Sequence, residues 1–391
     1  MENKRSLLAE RLVGQPMFEI LAKAQRLEEA GKRVIHFELG DTSFQSPSVA
    51  TDSAIQALRS GQTKYVNSSG MTSFREEIAR YTKKAFSFEP RVDQIVVAPA
   101  NALIDFIIRC CADPGDEVLI PDPCFPTYSS VLSYASITPV RVPLLPENAF
   151  RISPDTISSR ITNKTRLIIF NSPNNPTGAL STPEEMEKIV NIAKKNNIYL
   201  LSDEVYQRLS YGEQFVSAGV FDNCETNTIV LNSMSKIFSM SGWRAGYAIG
   251  PSSLMNSVGL LSQTTLSCSP PFVQIGATSV LSSEPDIIDT YIEEYSNRRG
   301  AIVDGLNSIE GVSCVKPGGA FYVFPRITHP GMDTMEYCSL MLEEAGVCTV
   351  PGDHFGSRGK GHIRMCYSGT SVSEIKQAIT LMQNFHKKHF N

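Results

Sequence analysis

The sequence has no apolar run that approaches the roughly 18 residues needed to span a membrane. Its first residues, MENKRSLLAERLVG, carry a charge every few positions, so we expect neither a secretory signal nor a membrane anchor. An excess of one charge is also missing, since 36 Lys and Arg stand against 40 Asp and Glu, a net charge of −4. Broad binding to nucleic acid or to an anionic membrane is therefore not expected.

Cysteine pairs of the CxxC type are absent from the sequence as well. The nine Cys form no CxxC pair, and most stand in apolar runs, where Cys behaves as a small hydrophobic residue. This usage predicts free thiols, a cytoplasmic location and no metal-ligand cluster of the zinc type. Repeats, low-complexity tracts and long polar linkers are lacking too, so the 391 residues, 42% of them hydrophobic, are expected to share a substantial core.

Short apolar runs rich in β-branched residues alternate with helical patterns between residues 94 and 250. The runs typical of buried strands lie at 94–98, 117–120, 166–170, 198–202 and 228–232. A helix is predicted after Thr182, because Thr182 and Glu185 match a capping box and Pro183 suits the first helical position. The alternation predicts an α/β fold with a large domain, in which helices flank a mostly parallel central sheet.

The two ends of the chain have a different pattern. Residues 17–29 are typical of an amphipathic helix. The C-terminal part indicates helix, strand, strand and helix, and Ser371 with Glu374 matches a second capping box. We therefore expect a large domain of residues 45–285 and a smaller α+β domain built from residues 1–44 and 286–391.

Polar residues directly follow three of the predicted strands. The segments are NSPNNPTG from Asn171, DEVY from Asp203, and SMSK from Ser233 with SGWR close behind. Because ligands bind at the carboxyl ends of parallel strands, we expect these side chains to converge on one site. The set has no metal-ligand spacing and no Ser/His/Asp arrangement, so hydrolase chemistry is poorly supported.

These motifs resemble, in identity and order, those of the class I and II aminotransferases, which are pyridoxal-phosphate (PLP) enzymes with the aspartate aminotransferase fold, fold type I. The motifs are NSPNNPTG, DEVY, SMSKIFSMSGWRAGY, FELGDTSF and HIRMCYS, so the resemblance runs from Gly40 to Arg364. It implies a homodimeric PLP enzyme with a ping-pong mechanism. The amino donor is expected to be an amino acid, with glutamate our choice, and the acceptor a keto acid, ketone or aldehyde.

The resemblance gives catalytic roles to Lys236, Asp203 and Tyr206. Lys236 would form a Schiff base with PLP and move a proton, and burial beside cations would lower its pKa. Asp203 would keep the pyridinium nitrogen of PLP protonated, while Tyr206 and Asn175 would hydrogen-bond the ring oxygen. The plain alternatives are a surface lysine at 236, a helix N-cap at Asp203 and a simple turn at NSPNNPTG.

A phosphate site is expected from Arg244, the hydroxyls of Ser233 and Ser235, and the backbone N–H groups of Ala100 and Asn101 at a helix start. Members of the family usually carry Gly at this helix start. Members that transaminate aspartate often have Lys at the position matching Asn101. An ordinary aspartate aminotransferase is therefore not expected.

Four further residues have roles implied by the resemblance. Phe125 would stack on the PLP ring, although the residue alone favours ordinary core packing. Tyr65 would reach the phosphate from the neighbouring subunit, or else it is a solvated loop tyrosine. Arg364 would bind the substrate α-carboxylate, or else form a structural salt bridge. Gly40 would border the substrate, as would Asn175.

Selection of the acceptor is predicted to depend on Phe18, Phe44 and residues 263–271. Other functions stay open. PLP-dependent lyases, decarboxylases and amine oxidases that act on amino acids use the same fold and lysine, because the reaction depends on which substrate bond is held perpendicular to the ring. A regulator that senses PLP is not expected, since no basic recognition helix precedes the resemblance. A nicotinamide enzyme is not expected either, because no GxGxxG follows a strand.

Overall fold

A seven-stranded sheet forms the centre of the computed structural model, which describes residues 5–283, 286–328 and 331–390. The strands are β1 (Ile35–His36), β2 (Ile95–Val97), β3 (Glu117–Asp122), β4 (Thr138–Pro143), β5 (Thr165–Asn171), β6 (Tyr199–Asp203), β7 (Thr228–Ser233), β8 (Gly246–Ile249), β9 (Val312–Ser313), β10 (Tyr322–Val323), β11 (Arg326–Ile327), β12 (Val347–Cys348), β13 (Val350–Pro351) and β14 (Ile363–Cys366). The central sheet has the order β2-β8-β7-β6-β5-β3-β4. All its strands are parallel except β8, which runs antiparallel to β2 and to β7.

Helices cover both faces of this sheet. They are α1 (Leu7–Arg11), α2 (Pro16–Glu29), α3 (Ser48–Arg59), α4 (Thr72–Phe86), α5 (Ala100–Cys111), α6 (Pro126–Tyr134), α7 (Pro154–Arg160), α8 (Pro183–Lys195), α9 (Ser252–Leu266), α10 (Pro271–Ser283), α11 (Ile287–Asn307), α12 (Thr334–Leu340) and α13 (Val372–Phe390). Helices α5, α6 and α9 pack on one apolar cluster of the sheet, and α7 and α8 on another. Strands buried on both faces explain the continuous apolar runs of the sequence. The predicted α/β fold with a mostly parallel sheet is confirmed.

The predicted capping boxes form as expected. In the first, the Glu185 amide donates to Thr182 Oγ1 at 3.2 Å and the Thr182 amide donates to Glu185 Oε2 at 2.9 Å. In the second, the Glu374 amide donates to Ser371 Oγ at 3.3 Å and the Ser371 amide donates to Glu374 Oε2 at 2.9 Å. Each pair satisfies two backbone donors at the start of its helix, α8 and α13.

The two chain ends meet in smaller sheets. Strand β1 pairs in parallel with β12, β14 lies between β10 and β13, and β11 pairs with β9. A shared apolar cluster joins these strands to α11, α13 and the central sheet. The division between residues 44 and 45 stays a prediction, and residue 285, at the other predicted boundary, lies outside the described residues. Within the described ranges no helix has the length and apolar character needed to cross a membrane.

Candidate active site

A cleft with a cavity volume of about 260 Å³ lies at the edge of the central sheet where β2, β3, β5, β6 and β7 end. Strand order and direction explain the convergence, because parallel strands end at one edge and the antiparallel β8 begins there. The structure brings together these sequence-predicted residues: Gly40, Ala100, Asn101, Phe125, Asn175, Asp203, Tyr206, Ser233, Ser235, Lys236, Arg244 and Arg364. Tyr65 does not line this cleft, and it is 87% exposed.

Lys236 follows β7 and is partly buried in the cleft. Its Nζ donates a hydrogen bond to the carbonyl oxygen of Gly40 at 2.8 Å. Burial lowers the pKa of Lys236, and the cations Arg364 and Arg244 lower it further, against opposing effects from Cys366 and Asp41. The predicted pKa shift is confirmed, and the surface-lysine alternative is wrong. A lysine in this setting reaches its neutral, nucleophilic form more readily than a solvated one.

Asp203 is the last residue of β6, and its carboxylate is buried at the cleft. The Tyr128 hydroxyl donates to Asp203 Oδ2 at 2.5 Å, and the Val205 amide donates to Oδ1 at 3.3 Å. Burial raises the pKa of Asp203 to about 6, although these donors and Lys236 favour the anion. The residues after Asp203 form a turn and no helix, so the N-cap alternative is wrong.

Two tyrosines of the site were missed by the sequence reasoning. Tyr128 lies in the first turn of α6, and its ring meets that of Phe125, the residue before the helix, edge to face at 5.7 Å between centroids. Both residues line the cleft. The signal that could have identified Tyr128 was its place shortly after β3, at the edge of the sheet where ligands bind. Tyr322 comes from β10, and its hydroxyl lies 2.8 Å from the hydroxyl of Tyr206. No local pattern connects residues 206 and 322.

The NSPNNPTG segment is more than a turn. The Asn175 amide donates to Asn171 Oδ1 at 2.8 Å, and Asn171 Nδ2 donates to the carbonyl oxygen of Asp203 at 2.9 Å. These bonds tie the segment to the end of β6. Asn175 Oδ1 in turn accepts a hydrogen bond from Arg364 Nη1 at 3.2 Å. Asn175 therefore lies between the end of β6, where Asp203 stands, and the guanidinium of Arg364.

Arg364 lies in β14 and is only 1% exposed. Its guanidinium carbon sits 4.9 Å from the ring centroids of both Tyr322 and Phe355, and its Nη2 donates to the carbonyl oxygen of Glu38. Its Nε is buried without a hydrogen-bond partner. No Asp or Glu in the described ranges forms a salt bridge with it, contrary to the structural alternative. A buried, uncompensated guanidinium of this kind is suited to an anionic ligand.

The far end of the cleft is rich in donors. Ser233 Oγ donates to Ser235 Oγ at 2.9 Å, and the exposed Arg244 donates from Nη1 to the Ser241 carbonyl oxygen at 2.9 Å. Helix α5 begins here at Ala100, without a side-chain cap. The first N–H groups of a helix have no intrahelical partner and carry its positive dipole end. Together these groups fit a phosphate dianion.

The predicted acceptor-selecting residues are only partly placed in the cleft. Phe18 lines it, next to Met17 of the same helix α2. Phe44 does not line it, because its ring stacks on Tyr291 at 4.0 Å between centroids. Residues 263–271 do not line it either. Phe44 and this segment therefore lie outside the cleft of their own chain, because short-range patterns do not encode which way such side chains face, and their part in selecting the acceptor stays a prediction.

This arrangement fits PLP group by group. It has an amine for the aldehyde, a buried carboxylate for the ring nitrogen, phenol and amide groups for the ring oxygen, and a donor-rich helix start for the phosphate. The fold and this set of side chains define a PLP-dependent enzyme.

Comparison with known proteins gives the particular family. The model of the family "Aminotransferase class I and II" matches residues 32–381. The chain is 33% identical to an aspartate aminotransferase of Pyrococcus horikoshii over 98% of both chains. It is 34% identical to aromatic-amino-acid aminotransferase 2 of Thermococcus litoralis, over 91% of this chain and 92% of that protein. The structure of an alanine aminotransferase from Pyrococcus furiosus matches with a TM-score of 0.94, 30% identity, and coverage of 99% and 100%.

The chain belongs to the class I and II aminotransferases. It is a PLP-dependent enzyme that moves an amino group between small-molecule amino and keto substrates. The comparisons favour this activity over the lyase, decarboxylase and oxidase alternatives. The three relatives are named for three different kinds of amino acid, so the family alone does not select the substrate.

Proposed function

We propose that this cleft binds PLP and an α-amino acid together, with Lys236 carrying the proton between the two. The observation behind this proposal is the position of Lys236, which lines the same cleft as the buried Asp203 and Arg364. Bound PLP supplies an electron sink for the negative charge that develops at the substrate Cα. The lowered pKa of Lys236 suits it to accept a proton from that carbon and to deliver it to the C4′ carbon of the cofactor.

The remaining groups are proposed to hold the cofactor. Asp203 pairs with the ring N–H, and Tyr128 holds Asp203 as a positioning residue. Tyr206 and Asn175 donate to the ring oxygen, and Phe125 covers one ring face. The phosphate is held by Ala100, Asn101, Ser233, Ser235 and Arg244.

Arg364 is proposed to bind the α-carboxylate of the substrate, with Gly40 and Asn175 beside it. Two hydrogen bonds support the placement of Asn175 and Gly40 in this part of the cleft. Asn175 accepts one from Arg364, and the carbonyl oxygen of Gly40 accepts one from Lys236. A bidentate contact orients the carboxylate and so sets which bond at Cα stands perpendicular to the PLP ring. This need for a carboxylate favours a 2-oxo acid over a simple ketone or aldehyde as the acceptor.

The acceptor side chain is proposed to be uncharged. Among the described residues lining the cleft, the cations are Lys236, Arg244 and Arg364, and each already has a role. The lining near the N-terminal segment is apolar, with Met17, Phe18 and Leu39. Glutamate stays the proposed donor, and because its second carboxylate meets no further cation among these residues, alanine and phenylalanine are tested beside it.

A homodimer in the cytoplasm completes the proposal. Tyr65 is exposed and outside its own cleft, which suits a role in the cleft of a second copy. All nine cysteines are free thiols, as expected in a reducing compartment. Light scattering is expected to give twice the 43.0 kDa chain mass, and Tyr65→Phe to weaken PLP binding without changing that mass. The division into a large domain of 45–285 and a small domain from both ends stays part of the proposal.

The activity test follows the absorbance of the holoenzyme while single amino acids are added. Glutamate, alanine and phenylalanine are expected to convert the visible band of bound PLP into the near-ultraviolet band of its amine form. One 2-oxo acid should appear per chain converted. Conversion by aspartate in preference to alanine and phenylalanine would contradict the uncharged acceptor. Release of any other product, with no amine form of the cofactor, would contradict transamination.

A further inference from the structure

A second cluster of reactive side chains lies away from the cleft, on the pair of strands β1 and β12. The two strands are parallel, with His36 directly opposite Cys348. Glu38 follows His36 by two residues, and side chains two apart in an extended chain point to the same side. One ligand atom each from His36, Glu38 and Cys348 lies within 4.8 Å of the others. Sequence spacing predicted no metal-ligand cluster, because His36 and Cys348 stand 312 positions apart.

The histidine ring is held between two carboxylates. His36 Nδ1 lies 2.8 Å from Glu38 Oε1, and His36 Nε2 lies 3.1 Å from Glu28 Oε1 near the end of α2. A second carboxylate on the far nitrogen is the arrangement that orients histidine ligands in metal sites, because it fixes the ring and makes the other nitrogen more basic.

The carboxylate of Glu38 is the buried member of this cluster. Glu38 is 1% exposed, and its Oε2 is buried with no donor beyond the weak one of the neighbouring Cys348 thiol. A buried carboxylate oxygen that lacks a strong donor is costly and marks a place where a cation is favoured. The His36 side chain is 36% exposed and that of Glu28 is 43% exposed, so solvent and ions reach the cluster from this side.

We propose that His36 Nδ1, the Glu38 carboxylate and Cys348 Sγ bind one divalent metal ion of the zinc class, with water as the fourth ligand and Glu28 orienting His36. One nitrogen, one oxygen and one sulfur ligand form a set that zinc accepts, whereas magnesium and calcium prefer oxygen alone. Binding releases the thiol proton of Cys348 and the proton shared by His36 and Glu38 to solvent. None of the three ligands lines the cleft, so the site is separate from the proposed catalytic one.

The cluster is connected to the cleft through the main chain of Glu38. Its carbonyl oxygen accepts a hydrogen bond from Arg364, and Gly40, two residues further on, accepts one from Lys236. A metal ion on the Glu38 side chain would hold the segment 38–40 at one end, while the hydrogen bond from Lys236 holds it at Gly40. Zinc is therefore expected to stabilise the folded holoenzyme, since a ligand that binds only the native state raises the melting temperature.

The test measures zinc binding to the metal-depleted holoenzyme in competition with a chromophoric chelator. One zinc ion per chain is expected, with binding lost in Cys348→Ser and in His36→Asn. Glu28→Gln is expected to bind zinc about 10- to 100-fold more weakly, as for other outer carboxylates. Cys338→Ser is the matched control, since Cys338 is a buried free thiol outside the cluster, and it should bind zinc as the wild type does.

Cobalt(II) provides an independent readout of the sulfur ligand. A thiolate-to-cobalt absorption band is expected in the difference spectrum of wild-type holoenzyme with and without cobalt, and it should be absent in His36→Asn. This spectrum needs no substitution in the core, so it decides the matter even where Cys348→Ser fails to fold. Three results would each overturn the proposal. The first is zinc binding that is unchanged in His36→Asn and Cys348→Ser, the second is a wild type that binds no zinc, and the third is cobalt binding without the thiolate band.

Discussion

Replacing Tyr128 by Phe tests how the cleft controls the charge of Asp203. The substitution removes the 2.5 Å hydrogen bond to Asp203 Oδ2. A hydrogen bond to a charged group contributes about 1.5–3 kcal/mol, and 1.36 kcal/mol corresponds to about one pKa unit. The pKa of Asp203, about 6 in the wild type, is therefore expected to rise to about 7 to 8 in the variant.

PLP binding reports this change, because only the ionised carboxylate pairs with the protonated ring nitrogen. The ionised fraction of Asp203 at about pH 6 falls from about one half to between about one tenth and one hundredth. The variant is therefore expected to bind PLP about 5- to 50-fold more weakly than the wild type at about pH 6, and equally well at about pH 9. The assay is titration of the apoenzyme with PLP at each pH.

The matched control is Tyr134→Phe in the same helix. It removes a 2.6 Å hydrogen bond from the Tyr134 hydroxyl to Asp105, which does not line the cleft. Its PLP affinity relative to wild type is expected to be the same at both pH values. An affinity ratio for Tyr128→Phe that does not change between about pH 6 and about pH 9 would refute the assigned role of the Tyr128–Asp203 pair.

Three further predictions concern other groups. Arg364→Gln removes contacts worth about 1.5–3 kcal/mol to a carboxylate, so the KM for the amino donor should rise about ten- to a hundredfold. Arg358→Gln, at an exposed position, is the control, and an unchanged KM in Arg364→Gln would contradict the assignment. A Cβ at Gly40 would overlap the Tyr322 hydroxyl, so Gly40→Ala should lower kcat/KM about a hundredfold. Gly14→Ala should leave kcat/KM unchanged, since a Cβ there would have nothing within 4 Å. Equal kcat/KM values for the two variants would exclude this packing argument. Burial raises the pKa of Glu204 from 4.5 to about 7, so its ionisation opposes folding and the free energy of unfolding falls as pH rises through this range. Glu204→Gln should remove about 2.5 kcal/mol of that decline between about pH 5 and about pH 8, measured by urea unfolding, and a decline as steep as in the wild type would show that Glu204 is not its source.

Much of the fold was predictable because its signals are local. The capping boxes at Thr182 and Ser371 and the apolar strand runs depend on residues a few positions apart. The positions of Asp203 and Lys236 followed from one topological rule, that parallel strands end at one edge. The side chains at those ends meet because β5, β6 and β7 are neighbours in the sheet.

The rest depends on contacts that sequence patterns do not carry. The Tyr206–Tyr322 pair joins residues 116 positions apart, and the parallel pairing of β1 with β12 brings His36 to Cys348. Phe44 stands in the FELGDTSF motif that was expected beside the substrate, yet its ring stacks on Tyr291. Such outcomes are set by the packing of distant elements, which short-range patterns do not encode.

The central claim is that Lys236 is the residue that carries PLP in this cleft. Borohydride reduction of the holoenzyme makes the link between PLP and its lysine permanent, and peptide mapping by mass spectrometry then locates it. The account predicts one phosphopyridoxyl group per chain, on Lys236, and none on Lys236→Ala. Label on a different lysine, or a wild-type protein that takes up PLP without forming a reducible link, would contradict it.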